Sequence, residues 1–231
     1  MEVIMINILL SRGILHHPLI FHEVKTYIKK TDRVVVLAFS FFNHQFSNPQ
    51  EYHLFYEKNG EYYQKMIDTF APYGIMEDQI SWINYYKDTQ ESAIQKIKEA
   101  DIIYFPGGAP DLMMERICAF GLKDVIESFQ KTYIGSSAGA MIQCKNYHIS
   151  KDSDYPSFSY KEGLSLCTGF SIEVHYQRRK KQKSGMRKVF RAYKHPIYAI
   201  PDDGALIVDH GNIKTIKSAF LMYDHKGVVR R

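Results

Sequence analysis

Cysteine is scarce in this chain: three residues in 231, an odd number. Cys118, Cys144 and Cys167 have neither metal-type nor redox-type spacing, which argues against a disulfide framework or a thiolate metal site. They read as small buried hydrophobes in a reducing compartment. Long apolar runs are missing too. None approaches the roughly 18 residues that span a bilayer, so no membrane contact is expected. The apolar stretch at residues 3–10 follows Glu2 and meets no small-residue cleavage site, so it reads as a buried strand rather than a leader. A cytoplasmic location is the resulting expectation. No linker, repeat or low-complexity tract divides the chain, and residues 1–231 are expected to form one domain. Hydrophobic residues make up 45% and aromatics 14%, enough for a sizeable core.

Charge is spread unevenly. The formal net charge of +5 owes much to Arg178-Arg179-Lys180-Lys181-Gln182-Lys183, followed by Arg187, Lys188, Arg191 and Lys194. Such a run is ordinarily a solvated loop or helix face, and it also suits an anionic substrate or nucleic acid. A second phosphate-type signal, Gly107-Gly108-Ala109, lacks the Gly-Lys-Ser/Thr ending of a P-loop. No nucleic-acid partner is expected.

What the chain does have is alternation. Residues 3–10 and 33–41 are continuous β-branched and apolar runs, the mark of strands covered on both faces. Between them Phe21, Val24 and Ile28 recur at helical spacing. An amphipathic segment spans 50–70, with Asn59-Gly60 expected to break or kink it. Residues 80–85 read as a strand, and Asp88-Thr89-Gln90-Glu91 opens a helix to Ala100. Another buried strand covers 101–105. The turn that follows leads into a helix with Pro110 in its first turn, reaching about Phe120, and a second helix covers 123–130. A strand at 132–135 comes next. Beyond Ser150 the pattern changes to short strands and loops; segments 197–200, 205–209, 212–216 and 218–223 read as short antiparallel strands. The expected fold is α/β: a doubly wound, mostly parallel sheet flanked by helices, with short antiparallel strands near the C-terminus.

Ligands of such sheets bind beyond the carboxyl ends of the strands, where the glycine turns 106–108 and 135–139 fall. Gly135-Ser136-Ser137-Ala138-Gly139 has the G-x-S-x-G spacing of a nucleophile elbow, whose small flanking residues permit a turn that holds the serine oxygen clear of the backbone. A serine nucleophile needs a base, and the base needs an orienting group. His175 follows the strand-like residues 170–174. If that strand joins the parallel set, the imidazole shares a rim with Ser137. His16, His17, His44 and His53 sit in loops or amphipathic segments with no elbow nearby. For the carboxylate, Asp152 and Asp154 lie in a loop dense with turn formers; Asp202 and Asp203 are further candidates in what reads as a tight turn. The Ala138 N–H and one from Gly107 or Gly108 are candidate oxyanion donors. Spacings of His, Cys and carboxylates supply no ligand set, so neither metal nor cofactor is expected. Only 38 residues (175 − 137) separate serine from histidine, against an α/β-hydrolase, whose histidine comes near the end of the chain.

Taken in order, several segments resemble the peptidase E (α-aspartyl dipeptidase) family, which has the fold of class I glutamine amidotransferases with serine replacing cysteine. Tyr62-Tyr63-Gln64-Lys65-Met66 through Phe70-Ala71-Pro72-Tyr73-Gly74-Ile75 is similar to the family's helix and its exit. Ala100-Asp101-Ile102-Ile103-Tyr104-Phe105-Pro106-Gly107-Gly108 resembles its strand and glycine turn. Tyr133 to Ala140 resembles its elbow, and Ile172-Glu173-Val174-His175 its histidine strand. Ile200-Pro201-Asp202-Asp203-Gly204-Ala205-Leu206 is similar to a late turn-and-strand signature. The resemblance covers most of the chain.

It implies a serine peptidase hydrolysing small peptides, dipeptides with an acidic N-terminal residue among them. Ser137 would be the nucleophile and His175 the general base; the position of the glycine turn makes Gly108, with Ala138, the choice of oxyanion donors. The family's acidic member precedes a hydrophobic residue and a proline, which matches Asp154-Tyr155-Pro156 and makes Asp154 the preferred acid; counting from the serine points to Asp152 instead. A basic residue after the histidine reads the acidic substrate side chain in that family, and Arg187 is the choice here. A monomer or homodimer is expected. After Gly108 this chain has Ala109-Pro110-Asp111 where the family continues with Asn-Thr. That departure keeps a second reading open, a catalytically silent small-molecule-binding protein on the same scaffold.

Overall fold

Where β-branched and aromatic residues run without interruption, this chain makes short strands whose alternate side chains feed two different helical layers. The structure, a computed structural model, describes residues 5–229. Val3 and Ile4 of the strand expected at 3–10 lie outside them. In chain order the first half comprises β1 (Ile6–Leu10), α1 (Pro18–Val24), β2 (Val34–Leu37), α2 (Pro49–Tyr56), α3 (Glu61–Phe70), β3 (Ile80–Ile83), α4 (Gln90–Glu99), β4 (Ile102–Phe105), α5 (Pro110–Ala119), α6 (Lys123–Glu127), β5 (Thr132–Ser136) and the single turn α7 (Ala138–Met141). The second half holds β6 (Asn146–Ile149), β7 (Ser159–Glu162), β8 (Ser171–Val174), α8 (Lys180–Tyr193), β9 (Ile197–Ile200), β10 (Ala205–Asp209), β11 (Asn212–Ile216), β12 (Phe220–Asp224) and β13 (Gly227–Val228).

Helix boundaries follow the local chemistry. The segment expected to break at Asn59-Gly60 does so: Asn59 has φ +72°, and Gly60 caps α3 where a Cβ would come 2.5 Å from the Leu54 carbonyl oxygen. Asn48 caps α2 by accepting from the Glu51 N–H, with Pro49 at the first position. Thr89 and Ser92 cap α4 reciprocally.

The central sheet has the order β11-β10-β1-β5-β4-β2-β3. Its pairs from β1 through β3 are parallel, and β10 and β11 add antiparallel strands at one side. On β2, Val35 and Leu37 face the layer of α4, α5 and α6, whereas Val34 and Val36 face that of α1 and α3. On β4, Ile103 and Phe105 divide from Ile102 and Tyr104 in the same way. This is the doubly wound, mostly parallel arrangement read from the sequence.

Two expectations about the second half are corrected. The strand preceding His175 does not join the parallel set; β8 belongs to a separate sheet of order β13-β12-β9-β8. Within it β8 and β9 run parallel, not antiparallel, and β12 pairs antiparallel to β9. A strand of four residues carries too little pattern to state its partner. The basic run proves to be α8, an amphipathic helix that buries Met186 and Val189 under the second sheet and turns its cations outward. Among the described residues, no helix is long and apolar enough to cross a membrane.

Candidate active site

Ser137 sits one residue beyond β5, at φ +52° and ψ −112°, a conformation that L-residues rarely adopt and that costs of order 1–3 kcal/mol. Its neighbours must be small. A Cβ on Gly135 would come 2.1 Å from the Gly139 carbonyl oxygen, and one on Gly139 would come 2.0 Å from that of Phe105. The Ser137 N–H donates to the Leu10 carbonyl at 2.9 Å, tying the elbow to the end of β1. Because α7 is one turn long, its macrodipole is weak; what the elbow offers is individual amides, that of Ala138 first.

The end of the second sheet brings an imidazole to this hydroxyl. His175, just past β8 and at φ +51°, has Nε2 2.8 Å from Ser137 Oγ. On its other side Nδ1 is 2.8 Å from Asp202 Oδ1. A carboxylate only accepts, so Nδ1 carries the proton and Nε2 is left to accept from the serine hydroxyl. Two further bonds fix the histidine backbone, and a third holds the glutamine that makes one of them. The His175 N–H donates to Ser11 Oγ at 2.7 Å. The His175 carbonyl accepts from Gln182 Nε2 on α8 at 2.8 Å, and Gln182 Oε1 accepts from the Gln177 N–H at 2.9 Å.

Asp202 lies in the turn after β9, closed by the Gly204 N–H on the Pro201 carbonyl. Its second oxygen meets Arg12 Nη2 at 2.9 Å. The Arg12 hydrogen bond, seconded by His175, holds the carboxyl below its ordinary pKa against partial burial, which pushes it up.

The other expected acids lie apart from the imidazole. Asp152 Oδ1 accepts from the N–H groups of Asp154 and Tyr155, closing its own loop. The preferred acid, Asp154, is exposed and lines the cleft wall without bonding His175; the carboxylate on the imidazole is Asp202. A Pro-Asp-Asp-Gly turn explains itself locally, which hid that one of its carboxylates also faces the histidine. The signal was its place, directly after a strand.

A cleft of about 850 Å³ opens over Ser137 and His175. Gly108 lines it, and Gly107 lies so close that a Cβ there would be 3.4 Å from Ser137 Cβ. Phe42 and Tyr155 supply apolar wall; Asp152 and Asp154 supply negative charge, and Arg179, Lys180 and Lys181 positive charge. Arg187 is further along α8, exposed, and not part of this lining. Sequence reasoning also missed a buried pair in the cleft, where Glu173 Oε2 takes hydrogen bonds from His148 Nε2 at 2.6 Å and Ser150 Oγ at 3.0 Å. Among the described residues no cluster of three His, Cys, Asp or Glu side chains could hold a metal ion. Cys144 and Cys167 are buried, and burial pushes the Cys144 thiol up to about 12.

Fold and site together are those of a hydrolase built at the strand ends of a doubly wound α/β sheet. The model of peptidase family S51, a family of serine peptidases, matches residues 55–216, and the chain belongs to that family. A search of curated protein sequences gave no match. Among solved structures, the chain is similar to a Listeria monocytogenes EGD-e protein named as a candidate peptidase E, with TM-score 0.66, 19% identity, and coverage of 93% of this chain and 98% of that one. It is also similar to a peptidase from an acI-B1 Actinobacterium, with TM-score 0.65, 14% identity, and coverage of 93% and 88%.

Proposed function

We propose that this peptidase cleaves small peptides through an acyl-enzyme on Ser137. The reading is carried by one observation, the continuous chain Ser137–His175–Asp202–Arg12 with links of 2.8, 2.8 and 2.9 Å. Ser137 Oγ attacks the scissile carbonyl carbon while its proton passes to His175 Nε2. The developing oxyanion accepts from the N–H groups of Gly108 and Ala138, each such donor supplying about 3 kcal/mol. The C–N bond then breaks as His175 returns the proton to the leaving amine, which leaves an ester on Ser137. Water attacks that ester, giving its proton to His175 and releasing the acid and the free hydroxyl. Throughout, Asp202 holds the tautomer and stabilises the imidazolium, and Arg12 holds Asp202.

The walls of the cleft favour a short peptide with an acidic side chain next to the scissile bond. Arg179, Lys180 and Lys181 reach the cleft and would read it; Arg187, further along the helix, would not. The test is labelling by a serine-directed fluorophosphonate. Labelling of the wild type and none of Ser137→Ala is expected, with hydrolysis of Asp-X dipeptides lost in the same variant. Equal labelling of both proteins rules the mechanism out.

A further inference from the structure

Residues 38–43, following β2, contribute nothing to the Ser137–His175–Asp202 chain, yet they hold the turn beside it. Ser40 is fully buried, and both its polar ends meet that turn. Its hydroxyl donates to the Gly107 carbonyl at 2.7 Å, and its carbonyl accepts from the Ala109 N–H at 2.6 Å. Between these contacts lies Gly108 at φ +141°, where a Cβ would come 2.1 Å from the Ser40 carbonyl oxygen. Across a trans peptide the C=O and N–H point in opposite directions. Tying the Gly107 carbonyl to Ser40 therefore turns the Gly108 N–H away from Ser40, while the Ala109 N–H is already engaged. Gly108 is thereby left as the turn's donor to the cleft that it lines.

Ser40 is itself braced. Arg116, a residue only 7% exposed, donates from Nη1 to the carbonyls of Phe39 and Phe41, each at 2.6 Å, and from Nη2 to Asn43 Oδ1 at 2.8 Å. It also lies 3.6 Å from the centre of the Phe41 ring. Among the described residues no carboxylate is within ion-pair distance of it. Burying a cation with no carboxylate in ion-pair contact is costly, and burial lowers its pKa from the usual value. The return on that cost is that both residues flanking Ser40 are pinned.

We infer that Ser40, braced by Arg116, is a positioning residue that sets the Gly107–Gly108 peptide with the Gly108 N–H facing the oxyanion. The inference rests on the proposed acyl transfer at Ser137. A Gly-Gly segment has little steric preference of its own. Without the Ser40 hydroxyl the peptide turns over more freely and presents a carbonyl where negative charge develops.

The test is phosphonylation of Ser137 by an alkyl fluorophosphonate, followed by mass spectrometry over a range of probe concentrations, in the wild type, Ser40→Ala and Arg116→Lys. The phosphonyl oxygen occupies the oxyanion position, so the limiting rate should fall about 10- to 100-fold in Ser40→Ala, with the half-saturating concentration within about twofold. Arg116→Lys should show a smaller fall of the same kind. A folded Ser40→Ala protein that reacts at the wild-type limiting rate overturns the inference, as does one in which only the half-saturating concentration rises. Should Ser40→Ala not fold, Ser40→Cys, which keeps the volume and a weaker donor, carries the same outcomes. A wild type not labelled at Ser137 overturns the proposed function, and this inference with it. That failure is read on the wild type, the other on the variants.

Discussion

Two carboxylates near the cleft invite opposite expectations. Asp202 bonds Nδ1 of the imidazole, whereas Asp154 only lines the wall, so Asp202→Asn should lower kcat by about three to four orders of magnitude through loss of the correct tautomer. Asp154→Asn should leave kcat nearly unchanged. Parallel rate measurements on one substrate decide between them. Arg12 permits a sharper test. Its guanidinium depresses the Asp202 pKa, and a depressed carboxyl stabilises the fold above its unfolded pKa of about 3.9 and loses that contribution as pH falls through the folded value. Arg12→Met should therefore raise the Asp202 titration midpoint, read by carboxyl carbon NMR. The variant should be less stable than the wild type at neutral pH and approach it as pH falls through the folded Asp202 midpoint.

The elbow and its opposing helix show what short segments can and cannot announce. Gly139 packs against the Phe105 carbonyl with no space for a methyl, so Gly139→Ala should cost about 3 kcal/mol, the top of the range for overpacking, in a urea titration. That constraint was legible, because a G-x-S-x-G run after apolar residues has little use other than a sharp strand-to-helix turn. The parallel strands were legible for a similar reason: β2, β4 and β5 are apolar on both faces. The sheet that receives β8 was not. Four residues, Ser171–Val174, pair with four others more than twenty positions later, and nothing local names the partner. The basic run reads from the sequence as a solvated loop or helix face; the structure makes it helix α8, and the cost of its charge is visible there. Lys180 and Lys181 begin the helix with no acidic residue in its first turn, the unfavourable end for cations. Lys180→Glu should raise stability by about 0.3–1 kcal/mol. It should also raise KM for acidic substrates about tenfold, the equivalent of about 1.4 kcal/mol. Melting and kinetics on the same preparation check both signs.

The site is assembled across the joint between the two sheets. Ser137, Ser11 and Arg12 come from the ends of β5 and β1 in the central sheet, while His175 and Asp202 come from the ends of β8 and β9 in the second. Neither sheet holds the hydrogen-bonded chain alone, so catalytic geometry depends on how the sheets are docked. Ser11 supplies one tie across that joint. Its N–H donates to the Gly204 carbonyl at 3.2 Å, just before β10, and its hydroxyl accepts from the His175 N–H. Removing the hydroxyl strands a half-buried amide, at a cost of about 1–3 kcal/mol, and frees the imidazole to drift from Ser137. Since misplacement by about 1 Å can cost about 100-fold in rate, Ser11→Ala should lower kcat far more than KM. Arg12→Met loosens the same joint from the carboxylate side. If the two act through one docking equilibrium, the double variant should lose less than the product of the single losses. If each side chain merely orients its own neighbour, the losses should multiply, and a four-member kinetic cycle separates these cases.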